Sequence, residues 1–98
     1  MLVLTLYYGG DDSFRVGDTQ VKLMEMHSSL KFKLRVMKKG MHEEYWITDK
    51  KATMIIRNVK VSAGHKANPG TVKVAIEAPP NIVIDREKIW QAKQDAKK

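Results

Sequence analysis

The sequence predicts a mainly β protein with a single helix at its C-terminal end. Short apolar segments of period two recur along the chain, and Gly, Pro and Asp signals separate them. Only the final stretch carries helical spacing, after an acidic capping residue.

Residues 1–8 are β-branched, aromatic and aliphatic and end at Gly9 and Gly10, which predicts a buried strand and a turn continuing through Asp11, Asp12 and Ser13. Phe14, Arg15 and Val16 form a short strand stopped by Gly17 and Asp18, a hairpin signal. Val21, Leu23 and Glu25 alternate with Lys22, Met24 and Met26 in the next strand. Segment 31–37 alternates strictly. Lys31, Lys33 and Arg35 share one face and Phe32, Leu34 and Val36 the other, as in a half-buried strand. Lys38, Lys39 and Gly40 end it. Tyr45, Trp46, Ile47 and Thr48 form a further strand, with a turn at Asp49 and Lys50, and 53–61 reads as one strand.

The breaker-rich segment 64–70 (GHKANPG) is a loop. Val72, Val74 and Ile76 alternate with Lys73, Ala75 and Glu77 in a strand closed by Pro79 and Pro80, and Ile82, Val83 and Ile84 make a short last strand. Asp85 is the expected cap of a helix over 86–96, docked by Trp90, with residues 97–98 frayed. The sum is about seven short strands and one helix.

With 98 residues the chain is one small domain. Its core is modest, and dimerisation would enlarge the buried surface. There are no cysteines, which removes disulfide scaffolds, thiolate zinc sites and cysteine nucleophiles and fits a reducing compartment. The opening segment is too short and too weakly charged for a signal peptide, and no apolar run approaches the roughly 20 residues needed to cross a bilayer. A cytoplasmic location, without membrane partners, is the expectation. The net charge of +7 points to phosphate-rich partners.

Signatures of catalysis are missing. His27, His42 and His65 are scattered without metal-ligand spacing, and His42-Glu43-Glu44 lacks the second histidine of a zinc helix. Gly9 and Gly10 open no phosphate-binding motif, and Ser13, Ser28, Ser29 and Ser62 have no nucleophile-elbow context. No enzyme activity, metal or cofactor is expected. Binding features are better developed. Lys31, Lys33, Arg35, Lys38 and Lys39 form a candidate basic surface that a polyanion would relieve, or else a solvated outer face. Arg86, expected to open the helix, can offer two donors to guanine O6 and N7.

Both ends of the chain resemble the carbon storage regulator family, CsrA/RsmA. The opening MLVLT is similar to the family's MLILT. Residues 72–79 (VKVAIEAP) and 82–91 (IVIDREKIWQ) resemble its VRIGVNAP and VAVHREEIYQ run. Family members are shorter, and the surplus reads as a β-rich insertion over approximately 10–44 within a single domain 1–98. In that alignment Trp46, Ile47, Thr48 and Asp49 match the family's IGD turn, leaving one uninterrupted stretch to the end. Alternatively Val16, Gly17 and Asp18 are that turn, and the extra strands come later.

The resemblance implies a small β-sheet or barrel with a C-terminal helix, assembled as an intertwined homodimer in which first and last strands flank each other, with an extra β-hairpin from the insertion. It also implies a regulator that binds GGA motifs in single-stranded or hairpin-loop RNA, acting on messenger leaders and titrated by small RNAs or a protein antagonist. Contacts would come from Leu4 and Thr5 on one side and Ala78, Pro79, Ile82, Ile84 and Arg86 on the other, mostly through backbone groups, with Lys73 at a position that is basic in the family. Two departures stand out: Leu6 and Tyr7 replace a basic pair, and Asp85 replaces a histidine. Tyr7 or Tyr8 stacking on a base, and lysines of the insertion, would compensate. A protein-interaction module on the same fold and a nonspecific basic nucleic-acid binder are the rival expectations.

Overall fold

The computed structural model describes residues 2–10, 12–48, 52–56, 58–64 and 67–96. Met1, Asp11, Arg57, His65 and Lys66, the turn expected at 49–50, and the end at 97–98 lie outside the described residues. The strands are β1 (Leu2–Tyr7), β2 (Ser13–Val16), β3 (Thr19–Ser28), β4 (Lys31–Lys38), β5 (Met41–Thr48), β6 (Thr53–Ile56), β7 (Val59–Ala63), β8 (Thr71–Glu77) and β9 (Ile84–Arg86). Helix α1 (Glu87–Ala96) ends the chain. The protein is therefore mainly β with one C-terminal helix. Among the described residues no helix is long and apolar enough to cross a membrane.

Period two builds the core. Phe32, Leu34 and Val36 of β4 and Val72, Val74 and Ile76 of β8 are buried, while the intervening residues mostly face outward. The strands form two antiparallel sheets, ordered β1-β8-β7-β6 and β5-β4-β3-β2-β9. Their inner faces meet in one cluster, to which Leu4, Leu6, Val59 and Val61 contribute from the first sheet and Phe14, Val21, Phe32 and Ile47 from the second. The sheets do not close into a barrel. At one seam the Arg86 side chain of β9 reaches across to Thr5 of β1, and at the other β6 lies near β5. The segment 10–44 runs through β2, β3 and β4 into β5.

Several boundaries differ from expectation, each for a local reason. Segment 53–61 is not one strand but the hairpin β6–β7. Ile56 pairs with Val59, and Asn58 just before Val59 has φ 65°. Asparagine is among the few side chains that enter this left-handed region readily. β5 starts at Met41 rather than Tyr45, because Lys39 (φ 46°) and Gly40 (φ 82°) make a two-residue turn that returns the chain directly along β4. β3 carries irregularities after Leu23 and Met26, which break the expected alternation around Glu25. The last strand covers 84–86 instead of 82–84, since Ile82 N–H closes a turn on Pro79 O at 3.0 Å and Val83 O accepts from Gly17 N–H at 2.9 Å. Asp85 and Arg86 consequently belong to β9, opposite Arg15 and Phe14, and the helix starts at Glu87.

The left-handed Asn58 yields a direct test. Asn58→Val, which forces a β-branched residue into that conformation, is expected to cost about 1–2 kcal/mol in chemical denaturation. Asn58→Gly, which fits the turn freely, is expected to be near neutral.

Candidate nucleic-acid interface

β1 is an edge strand. Arg86 Nη1–H donates to Thr5 O at 3.0 Å on the side away from β8. Alternation then directs the backbone groups of Val3, Thr5 and Tyr7 toward the seam and those of Leu2, Leu4 and Leu6 toward β8. Tyr7 N–H is taken by Asp12 Oδ2 at 3.0 Å. Val3 and Thr5 thus leave an N–H and C=O ladder facing β9 without being paired to it. Arg86 is exposed, so the rest of its donor fork points to solvent.

Most residues expected on the two sides of an RNA site converge on this seam. Leu2 lies opposite Ile76, so β8 leaves the sheet toward Ala78 and Pro79 at the Leu2 end of β1. Arg86 reaches Thr5, three residues or about 10 Å further along β1. Ala78, Ile82 and Ile84 pack their side chains against the core, and Leu4 is buried, so these positions offer backbone rather than side chains. Lys73 is the cross-strand partner of Thr5 and shares its outward face. Asp85 does not engage Arg86. Its carboxylate holds Lys93 Nζ at 3.0 and 3.2 Å, tying β9 to α1.

α1 buries none of its residues and docks by polar contacts. Arg15, between buried Phe14 and Val16, points outward and grips Glu87 with Nε at 2.8 Å and Nη2 at 2.9 Å. Its third donor, Nη1, reaches Asp18 O at 3.1 Å, and the guanidinium carbon lies 3.8 Å from the Trp90 ring centroid. Trp90 thus docks the helix as expected, with Arg15 as its counterpart. Gln91 Nε2 donates to Glu87 Oε1 and Ser13 Oγ approaches Oε2. Hydrogen bonds from Arg15 above all hold the Glu87 carboxyl below its ordinary value, against the opposing effect of burial.

On the basic strand face, two of the cations meet acids of the neighbouring strands. Antiparallel register sets Glu25 opposite Lys33 and Glu44 opposite Arg35. Lys33 Nζ lies 3.3 Å from Glu25 and 3.4 Å from Glu44, and Arg35 Nη2 lies 3.8 Å from Glu44. The Glu25 hydrogen bond raises Lys33 above its ordinary value, aided by Glu44. Lys31 lies instead near the Trp46 ring. Lys38 and Lys39 sit apart at the β4–β5 turn, lining a groove of about 310 Å³ with Val36, Met41, Ile55 and Ile56 at the other seam. Beside it, the hydrogen bond from Tyr45 to Glu43 raises the tyrosine hydroxyl above its ordinary value.

The Arg15, Glu87 and Trp90 clasp was not anticipated as a unit. Its signal was an arginine between two apolar strand residues, and Glu87, Trp90 and Gln91 at helical spacing. Among the described residues no cluster of three or more His, Cys, Asp or Glu side chains could hold a metal ion. No protein-family model, curated protein or solved structure matches the chain.

The clasp makes stability pH-dependent. Glu87 is lowered in the folded state, so its contribution is complete above the ordinary value near 4.5 and fades as pH falls through the lowered native value. Thermal melts from neutral to acidic pH are expected to show wild type losing more stability than Glu87→Gln over that interval. Parallel curves would place the acid sensitivity elsewhere.

Proposed function

We propose that the chain is a sequence-specific RNA-binding post-transcriptional regulator that takes unpaired GGA-type motifs at the open seam between β1 and β9. One observation carries this reading. The exposed Arg86 guanidinium stands 3.0 Å from Thr5 O, which unites at one unpaired strand edge two segments 81 residues apart in the chain. These are the segments the family resemblance assigns to the two sides of an RNA site.

The chemistry is suited to splayed bases. Bases of a loop present donors and acceptors along their edges, which strand backbone groups can read without a particular side chain. A guanidinium adds paired donors for guanine O6 and N7. Arg86 has only to release one bond to a carbonyl that is itself free to accept from a base. The net charge of +7 supports attraction to a polyanion. Diversion of Asp85 to Lys93 removes the neighbouring acid as a competitor for Arg86. Assembly as a homodimer supplies two seams per particle and bivalent capture of messenger leaders or small RNAs in the cytoplasm. A protein antagonist would act by covering the seam. No catalysis is involved.

A protein-interaction module is favoured by a different observation. The seam near β5 and β6 carries an apolar groove with the exposed Met41 in its lining. A binder that relied on the lysine face alone is disfavoured, because Glu25 and Glu44 pair with Lys33 and Arg35 there.

The discriminating experiment is a titration at fixed moderate salt. An RNA hairpin with a GGA loop and the same hairpin with a scrambled loop are bound to wild type and Arg86→Ala. The expected result is tight binding that needs the GGA loop and weakens by about 1–3 kcal/mol in Arg86→Ala. Equal binding to both hairpins, insensitive to Arg86, would shift the function to a nonspecific surface. Absence of binding would leave the interaction module.

A further inference from the structure

The outward face of the five-stranded sheet is covered at one end and open at the other. α1 packs on β2 and β9, whereas β5 forms the opposite edge. There Trp46 is 42% exposed although its neighbour Ile47 is fully buried, so strand alternation presents the indole outward. His27 from the irregular end of β3 lies beside it, ring centroids 5.1 Å apart and planes inclined by 53°. Lys33 Nζ and Lys31 Nζ stand 5.5 and 5.7 Å from the indole centroid.

We propose that this end of the sheet is a second RNA contact, in which Trp46 stacks an unpaired base and Lys31, Lys33 and Arg35 receive the flanking phosphates. The proposal takes its kind of ligand from the RNA-binding reading above, but its position is independent of the seam, since it lies at the opposite edge of the sheet.

Three features select single-stranded RNA. An exposed indole set in a rigid strand is a stacking surface for any base, and such contacts tolerate sequence. Ammonium groups 5.5 and 5.7 Å from the ring centroid suit a single strand, in which each stacked base brings a phosphate charge with it. The charge balance also leaves room for a polyanion: these three cations face two acids, Glu25 and Glu44. Moreover, the Arg35 pairing is long at 3.8 Å. A protein interface would need an apolar centre, whereas charged residues surround Trp46. A base entering the stack displaces the two ammonium groups from the ring toward its phosphates, so the cation–ring contacts of the free protein are exchanged rather than lost.

The test uses an unstructured oligouridylate of about ten nucleotides, and the GGA-loop hairpin with and without that tract as a tail. Binding is read by anisotropy for wild type, Trp46→Ala, Trp46→Phe and Arg86→Ala, with circular dichroism to check folding. Trp46→Ala is expected to weaken oligouridylate binding by about tenfold or more, and Trp46→Phe by less, because a ring remains. Arg86→Ala is expected to leave it unchanged. The tail is expected to tighten hairpin binding in wild type, and Trp46→Ala to remove that gain while sparing the untailed hairpin. Oligouridylate binding equal in wild type and Trp46→Ala overturns the proposal. So does the absence of oligouridylate binding, which would leave this face to a protein partner. If the untailed hairpin fails to bind but oligouridylate binds through Trp46, the GGA reading falls and the second contact stands.

Discussion

A single guanidinium spans the place where the two sheets fail to join. Arg86 donates to Thr5 O across the seam between β1 and β9, and no backbone ladder accompanies it. Were the seam closed by strand pairing, the edge of β1 would be consumed, with no backbone left there to read a ligand. Were it bridged by nothing, β1 would be an open edge prone to pair with any strand. The arginine holds an intermediate state, in which the edge is occupied by a single side-chain donor.

Placement of Arg86 depends in turn on the clasp behind it. β9 has three residues and sits at the margin of its sheet, and α1 buries no side chain against the core. Neither element would be held firmly by apolar packing. Arg15 supplies the missing anchorage by gripping Glu87 with two donors while its plane lies against Trp90. Lys93 on Asp85 adds a second tie. Polar docking of this kind is weaker than core packing and responds to pH and salt. The position of Arg86 is therefore coupled to the ionic state of the C-terminal segment.

The sequence disclosed the strands where period two was clean, as in β4 and β8, because alternation there coincides with burial. It misled where the local backbone was unusual. Asn58 turns the chain within an apolar run that otherwise reads as one strand, and the Lys39 and Gly40 turn starts β5 among exposed polar residues without an apolar signature. Arg86 stood out in the sequence, but its position in β9 rather than in the helix follows from pairing with Phe14, which lies 72 residues earlier. The lysine face was visible on one strand alone. The pairing of Lys33 and Arg35 with acids was not, because Glu25 and Glu44 become their neighbours only through the register of β3 and β5. Sequence alone shows a strand's own charges but not those set opposite it.

Two distinct surfaces emerge on the five-stranded sheet and its margin. One is the seam, rich in backbone groups; the other is the Trp46 end, rich in rings and ammonium groups. The central claim concerns the first. Amide hydrogen exchange, with and without the GGA-loop hairpin, tests it most directly. Val3 and Thr5 direct their N–H groups to the open edge, so they exchange readily in the free protein. The account predicts that the hairpin slows exchange at these two amides. Unchanged exchange at Val3 and Thr5 under saturating hairpin, with protection appearing only on β5 and β6 or nowhere, would contradict it.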